Sequence, residues 1–223
     1  MSRVPRFVLA AVLTVGGGLG LAACRSEPTV AAYISGDRIT EAQIDEIVDD
    51  AARTIPEGGA VPARVDVLTT LLMGRVCADL QAKQGFPSGQ VTVEQVAQVD
   101  RVSKDSRYAA ERAKTYRCLT GIPKAEAVTP TDAELRDIYQ RAAAKGLVET
   151  PYNEIKDRLA ADRSVQESVA VNRVLTERVA AGQITVNPRY RPMEFTISDL
   201  GSGQPLVVLA LGEPASDAVQ DVQ

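Results

Sequence analysis

Three times this 223-residue chain places a threonine three residues ahead of a glutamine or glutamate and then opens a helical segment. The pairs are Thr40 with Gln43, Thr92 with Gln95, and Thr131 with Glu134. In such a capping box the threonine hydroxyl accepts from the third helical amide. The longer side chain reaches back to the threonine's own N–H, so two orphan donors are satisfied at once. Each pair therefore marks where a helix must begin. Ile44, Ile47, Val48 and Ala51 form the stripe behind the first box, and Leu135, Ile138, Tyr139 and Ala142 the stripe behind the third. The second box starts a weaker helix that runs to about Ser103.

The remaining helices are read from spacing and breakers. Pro56-Glu57-Gly58-Gly59 interrupts the chain, and a long helix follows from about Ala63 to Lys83 with Val65, Leu68, Leu72 and Val76 as its stripe. Gly85 to Gly89 end it. Another helix is expected from about Asp105 to Leu119, carrying Tyr108, Tyr116 and Cys118. Pro151 suits a first helical position after Thr150 as cap. In the polar stretch from Pro151 to Ala181, the stripe of Tyr152, Ile155 and Leu159 falls out of register with Val171, Val174 and Leu175. Two helices, or one bent near Asp162, are expected there, with Ser164 and Glu167 as a fourth box.

Strand signals lie at the two ends. Val30 to Thr40 reads as a β-hairpin turning at Gly36-Asp37, and Gln183 to Tyr190 as a short strand. The predicted class is mainly α, a multi-helix module with a small β element made by the N-terminal hairpin and the C-terminal strand. Its domain spans 30–190. Residues 191–223 are expected to be extended and partly disordered, with Leu206 to Leu211 as the one run able to pack as a strand. Nine aromatic residues in the whole chain imply a light core of valine, leucine, isoleucine and alanine.

The N-terminus constrains location. Arg3 and Arg6 precede an uncharged apolar run from Phe7 to Leu21, which is short of the roughly 20 residues a membrane span needs and fits a secretory signal. The run ends in Leu21-Ala22-Ala23-Cys24, which resembles a bacterial lipobox. That resemblance implies a signal peptide over 1–23, a diacylglyceryl group on the Cys24 thiol, cleavage before Cys24 and acylation of the new terminus, with 24–29 left as a tether. Two or more acyl chains anchor stably where one is marginal. The expected location is the extracytoplasmic face of the cell membrane. Removing 1–23 takes two of the 25 basic residues and none of the 29 acidic ones, leaving a net charge of −6. A mildly acidic body argues against a nucleic-acid partner.

Absences prune the chemistry. The chain has no histidine, so Ser-His-Asp and Cys-His sites and imidazole ligation of zinc are all unavailable to it. No metal or cofactor is expected, and no catalytic residue. After Cys24 only Cys77 and Cys118 remain. Outside the cytoplasm a structural bridge between them is the first reading, closing a loop of about 40 residues for roughly 3–4 kcal/mol. Two buried free thiols, or a redox pair, are the alternatives. The acidic cluster Asp45, Glu46, Asp49 and Asp50 lies off the Ile44/Ile47/Val48 face and reads as solvated surface. Asn187-Pro188-Arg189-Tyr190 reads as a turn.

The order of these pieces resembles the SurA/PrsA-type foldases. "VAAYISGDRITEAQIDEIV" (Val30 to Val48) is similar to their opening strand pair and helix. "TPTDAELRDIYQ" (Thr129 to Gln140) is similar to the helix that precedes their parvulin domain. "PYNEIKDRLAAD" (Pro151 to Asp162) and "ERVAAGQITVNPRY" (Glu177 to Tyr190) are similar to the returning helix and closing strand. The resemblance implies a helical chaperone module in which hairpin and closing strand meet. Only about a dozen residues around Ala143 to Thr150 stand where a parvulin domain of roughly a hundred residues, an ordinary small domain, would lie. The paired histidines of parvulin sites are missing too. Prolyl isomerase activity is therefore not expected. The expected function is a lipid-anchored holdase or folding factor for non-native exported polypeptides. The alternative is a binding or assembly lipoprotein dedicated to one envelope complex. Which residues bind a client, and the oligomeric state, are left open by the sequence.

Overall fold

The computed structural model describes residues 28–123, 127–199 and 205–212. The expected signal peptide and lipidated Cys24, and residues from 213 onward, lie outside the described residues. The chain is mainly helical with small antiparallel β elements. Its order is β1 (Val30–Ile34), β2 (Asp37–Thr40), α1 (Glu41–Arg53), α2 (Arg64–Gln84), α3 (Val93–Asp100), α4 (Arg107–Gly121) and α5 (Asp132–Ala144). There follow α6 (Tyr152–Ala161), α7 (Arg163–Ala181), β3 (Thr185–Val186), a 3₁₀ turn (Pro188–Tyr190), β4 (Glu194–Asp199) and β5 (Pro205–Ala210).

All three threonine boxes form. Thr40, Thr92 and Thr131 each accept from the third helical amide while Gln43, Gln95 and Glu134 accept from the threonine N–H. The fourth does not. Asp162 caps α7 instead, its carboxylate accepting from Ser164 N at 2.8 Å and Val165 N at 3.1 Å. A charged acceptor two residues earlier outcompetes the serine, and Glu167 pairs with Arg163. The break near Asp162 is thus a cap shared between two helices. Pro151 is itself the N-cap of α6 rather than its first residue. The hairpin turns at Ser35-Gly36, both at positive φ (51° and 85°), one residue earlier than expected. That geometry matches the right-handed twist of the flanking strands.

α2 is the central helix. Val67, Leu68, Leu72, Met73, Val76, Cys77 and Leu80 are all buried, on more than one side of it, whereas Val65 of the expected stripe is exposed. A single stripe under-describes a helix covered by α1, α4, α7 and the sheet. The main core gathers around α2. A second cluster joins Leu135, Ile138, Tyr152, Val165, Val169 and Val207, and Ile197 packs on both. α7 serves the two with different faces: Val165 and Val169 point to the second, Leu175 to the first. The stripe of Tyr152, Ile155 and Leu159 belongs to α6, and Val171, Val174 and Leu175 of α7 face the main core, so the two fall out of register because they lie on separate helices.

β1 lies between β2 and β3, so the N-terminal hairpin and the closing strand share one sheet. Beyond Tyr190 the chain is more ordered than the single expected strand. β4 and β5 form an antiparallel hairpin that buries Phe195, Leu209 and Leu211 in the main core and Val207 in the second. Packing therefore continues past 190 to Gly212.

Where α4 ends, the backbone crosses the Phe86–Gly89 segment closely. Gly89 N donates to Arg117 O at 2.6 Å, and a Cβ on Gly121 would stand 2.1 Å from Pro87 O. Backbone cannot yield as a flexible side chain does. Gly121→Ala is expected to lower stability by about 1–3 kcal/mol, the usual range for overpacking, read as a shift in urea midpoint. An unchanged midpoint would show that the crossing is loose.

Candidate functional site

The end of α4, the first half of α7 and strand β4 enclose an open groove of about 290 Å³. Its apolar walls are Tyr116 and Leu119 of α4 with the C-cap Ile122, Val171 and Leu175 of α7, and Phe195 and Ile197 of β4, and Thr120, Glu167, Ser168 and Thr196 complete the lining. The apolar helical contributors recur at three- and four-residue spacing, so they share one face of each helix with the polar liners Thr120, Glu167 and Ser168. The β4–β5 register shifts at Ile197, and Phe195, Thr196 and Ile197 all border the groove. Among the described residues β5 is the one strand paired with β4. The site therefore combines apolar side chains with a strand whose other edge no described strand pairs. Both are features that capture extended polypeptide.

Tyr116 also borders a second depression, of about 360 Å³, between α3 and α4. Val91, Val96 and Val99 line it, and Val99 is 79% exposed. Its floor is ionic. Arg112 is paired with Asp100 and lies over the rings of Tyr108 and Tyr116, at 5.7 and 5.1 Å from their centroids. Burial pushes the Asp100 carboxyl up from its ordinary range and the Tyr108 hydroxyl up to about 12. Tyr108, Arg112 and Tyr116 stand four apart, which places a cation between two aromatic rings along one ridge of α4. That spacing was legible in the sequence; the partner Asp100, on another helix, was not.

Cys77 and Cys118 form a disulfide, with Cα atoms 6.0 Å apart, and both are buried in the main core. Of the acidic cluster, Asp45 pairs with Arg64 and Glu46 with Arg107, and Asp49 is exposed. Asp50 accepts from Arg107 N at 2.8 Å, holding the first turn of α4. The cluster does more than solvate α1: it docks α2 and α4. No group of three or more His, Cys, Asp or Glu among the described residues is arranged to hold a metal ion. No described helix is long and apolar enough to cross a membrane.

Arg189 and Tyr190 belong to a knot at the N-terminal end of α2. Tyr190 OH donates to Glu41 Oε2 at 2.6 Å, Arg64 Nη2 donates to the same oxygen at 2.6 Å, and Arg189 approaches Oε1 at 3.4 Å. Burial first, then the Glu41 hydrogen bond, raises the Tyr190 hydroxyl pKa.

Glu134 has a second task beyond its capping box. Arg173 donates to both its oxygens, at 2.8 and 2.7 Å, which first of all holds its carboxyl down at about 2. A carboxylate depressed on folding stabilises above its unfolded value, near 4.5, and loses that contribution as pH falls from 4.5 through about 2. Arg173 and Glu134 keep 39% and 30% of their side-chain surface, so solvent screening reduces the effect to about 1 kcal/mol. Asp100, shifted upward, acts with the opposite sign across acid pH. The wild type should therefore lose more stability between pH 6 and pH 2.5 than Glu134→Gln does, measured by urea midpoints. Parallel losses would assign the acid sensitivity elsewhere.

Compared with family models, curated proteins and solved structures, the chain matches none.

Proposed function

We propose that this chain is a lipid-anchored, extracytoplasmic holdase of the SurA/PrsA type, without isomerase activity, that takes extended apolar segments of non-native exported polypeptides into the α4–α7–β4 groove. The observation that carries the reading is the groove itself: apolar walls open to solvent beside a strand with a single strand partner. Such a site needs no cofactor. Transient capture lowers the concentration of free aggregation-prone chain by mass action. Apolar walls give affinity without demanding a sequence, and a strand edge offers main-chain hydrogen bonds that every polypeptide can meet. The lipobox-like Leu21-Ala22-Ala23-Cys24 supports placement at the outer face of the membrane, where exported chains emerge.

The test is light scattering of two unrelated denatured proteins diluted into buffer with residues 25–223. Both should be suppressed near stoichiometric ratio. Ser168 lines the groove from α7 and is half-buried, so Ser168→Trp fills it without opening the core. That variant should need roughly tenfold more protein for equal suppression, the equivalent of about 1.4 kcal/mol in client affinity, with its melting temperature kept. Suppression of neither protein by the wild type would overturn the holdase reading in favour of a partner dedicated to one envelope complex.

A further inference from the structure

Register fixes which way each amide of β4 points. Leu211 N donates to Met193 O at 2.9 Å, and Glu194↔Ala210, Phe195↔Leu209 and Thr196↔Val208 continue that register. In an antiparallel pair, residues that exchange hydrogen bonds alternate with residues that do not. Met193 and Leu211 form a bonded pair, so Phe195 and Leu209 form the next. Thr196 and Val208 are then a non-bonded pair, and the N–H and C=O of Thr196 point away from β5. Val208 obeys the same rule on its own side. Its carbonyl points away from β4 and accepts from Asn172 Nδ2 of α7 at 2.6 Å.

α7 thus satisfies the outer edge of β5 at Val208. The outer edge of β4 has no such cover at Thr196: no described residue bonds its N–H or C=O. These two groups lie where β4 borders the groove, between Phe195 and Ile197. The register shift around Ile197 ends the regular edge there. A bulge bends its strand away from further pairing, and bulged edges resist pairing with the edge of another copy. What remains beside the apolar walls is one residue's outward donor and acceptor. A single residue of an extended chain carries the complementary two groups.

We infer that Thr196 is the main-chain anchor of the groove: a client segment adds as a strand beside β4, accepting from the Thr196 N–H and donating to its C=O. This rests on the groove's capture of extended polypeptide and specifies how the captured chain is held. Strand addition of this kind draws affinity from main chain and leaves side chains to the neighbouring walls. The Thr196 side chain is exposed, so the backbone and not the hydroxyl does the recognising. The client residue opposite it must carry an N–H, which excludes proline at that one position.

The test uses a short fluorescein-labelled peptide of alternating leucine and serine with residues 25–223, as in the light-scattering test. Amide exchange of the ¹⁵N-labelled protein is followed by NMR. Without peptide the Thr196 N–H should exchange fast and the ladder-bonded Phe195 N–H slowly. Saturating peptide should slow exchange at Thr196 by roughly tenfold or more and leave Phe195 unchanged. In anisotropy titrations Thr196→Pro, which deletes an outward N–H without breaking the ladder, should weaken the peptide roughly tenfold. Thr196→Ala should bind within about twofold of wild type. The exchange measurement is made on the unaltered chain and decides the matter if the proline variant folds poorly. A peptide that binds and leaves Thr196 exchange unchanged overturns the anchor while the groove reading stands. Protection of Thr196 without peptide, rising with protein concentration, assigns the edge to a second copy and overturns it too. A peptide that does not bind at all overturns both.

Discussion

Replacing Cys77 and Cys118 together by alanine should lower the melting temperature by about 10 °C, the largest stability loss expected from any pair in this chain. The bridge spans 41 residues of sequence. By the chain-entropy estimate, opening a loop of that size releases about 4 kcal/mol of unfolded-state entropy, and each kcal/mol moves the melting point of a protein this long by about 2–4 °C. Burial adds to it, since Cys77 is fully buried and Cys118 nearly so. The bridge joins α2 to α4 one residue before Leu119, the first of the last-turn residues in the groove wall. Thr115 Oγ1, donating to Thr70 O at 3.1 Å, is a neighbouring α4–α2 tie. The groove wall should therefore loosen along with the global loss. Thermal melts of the double variant, and of wild type under strong reductant, check the prediction. A shift of only a degree or two in both would mean that helix packing, not the crosslink, holds α4 in place.

How much of this was readable beforehand follows the range of each interaction. Capping boxes are local, four-residue events, and Thr40, Thr92 and Thr131 mark their helix starts in sequence and structure alike. The Asp162 break is local as well, though the choice between Asp162 and Ser164 as cap turned on which acceptor was stronger. Burial of α2 on several sides was not readable from a single stripe, because it depends on how many neighbours the helix acquires. β4 was missed for a related reason. Phe195 and Ile197 supply a two-residue alternation too short to announce a strand, and its stability comes from pairing with β5 and packing on both cores. The groove was illegible for a deeper reason. Tyr116, Leu119, Val171 and Phe195 are the residue types of any core, and only their arrangement around an opening sets them apart. The Asp100–Arg112 pair likewise joins two helices that no local pattern couples.

Glu41→Ala should cost about 2 kcal/mol, more than any exposed ion pair in the molecule, because one carboxylate is shared by groups from distant parts of the chain. Arg64 begins α2, Tyr190 ends the closing 3₁₀ turn, and Arg189 also holds Pro28. The Glu41 side chain is only 12% exposed, so its hydrogen bonds escape much of the screening that makes surface pairs weak. Hydrogen bonds to charged groups contribute about 1.5–3 kcal/mol each when buried, but the loss is not their sum. Arg64 keeps Asp45, and Arg189 keeps Pro28 O and the Asn187 side chain. The group left without its acceptor is the hydroxyl of the buried Tyr190. Glu41→Gln retains an acceptor oxygen for Tyr190 while removing the charge, so it should recover about half of the loss. Tyr190→Phe, which removes the donor together with the need for an acceptor, should cost about 1 kcal/mol. In the double variant Glu41→Ala/Tyr190→Phe the two losses should fall short of additivity by about 1 kcal/mol, as contacting partners do. Full additivity in the urea midpoints would separate Glu41 from Tyr190 energetically and leave the β1–β3 pairing, with the Asn187 and Arg189 hydrogen bonds to Val30 and Pro28, to join the two ends of the domain.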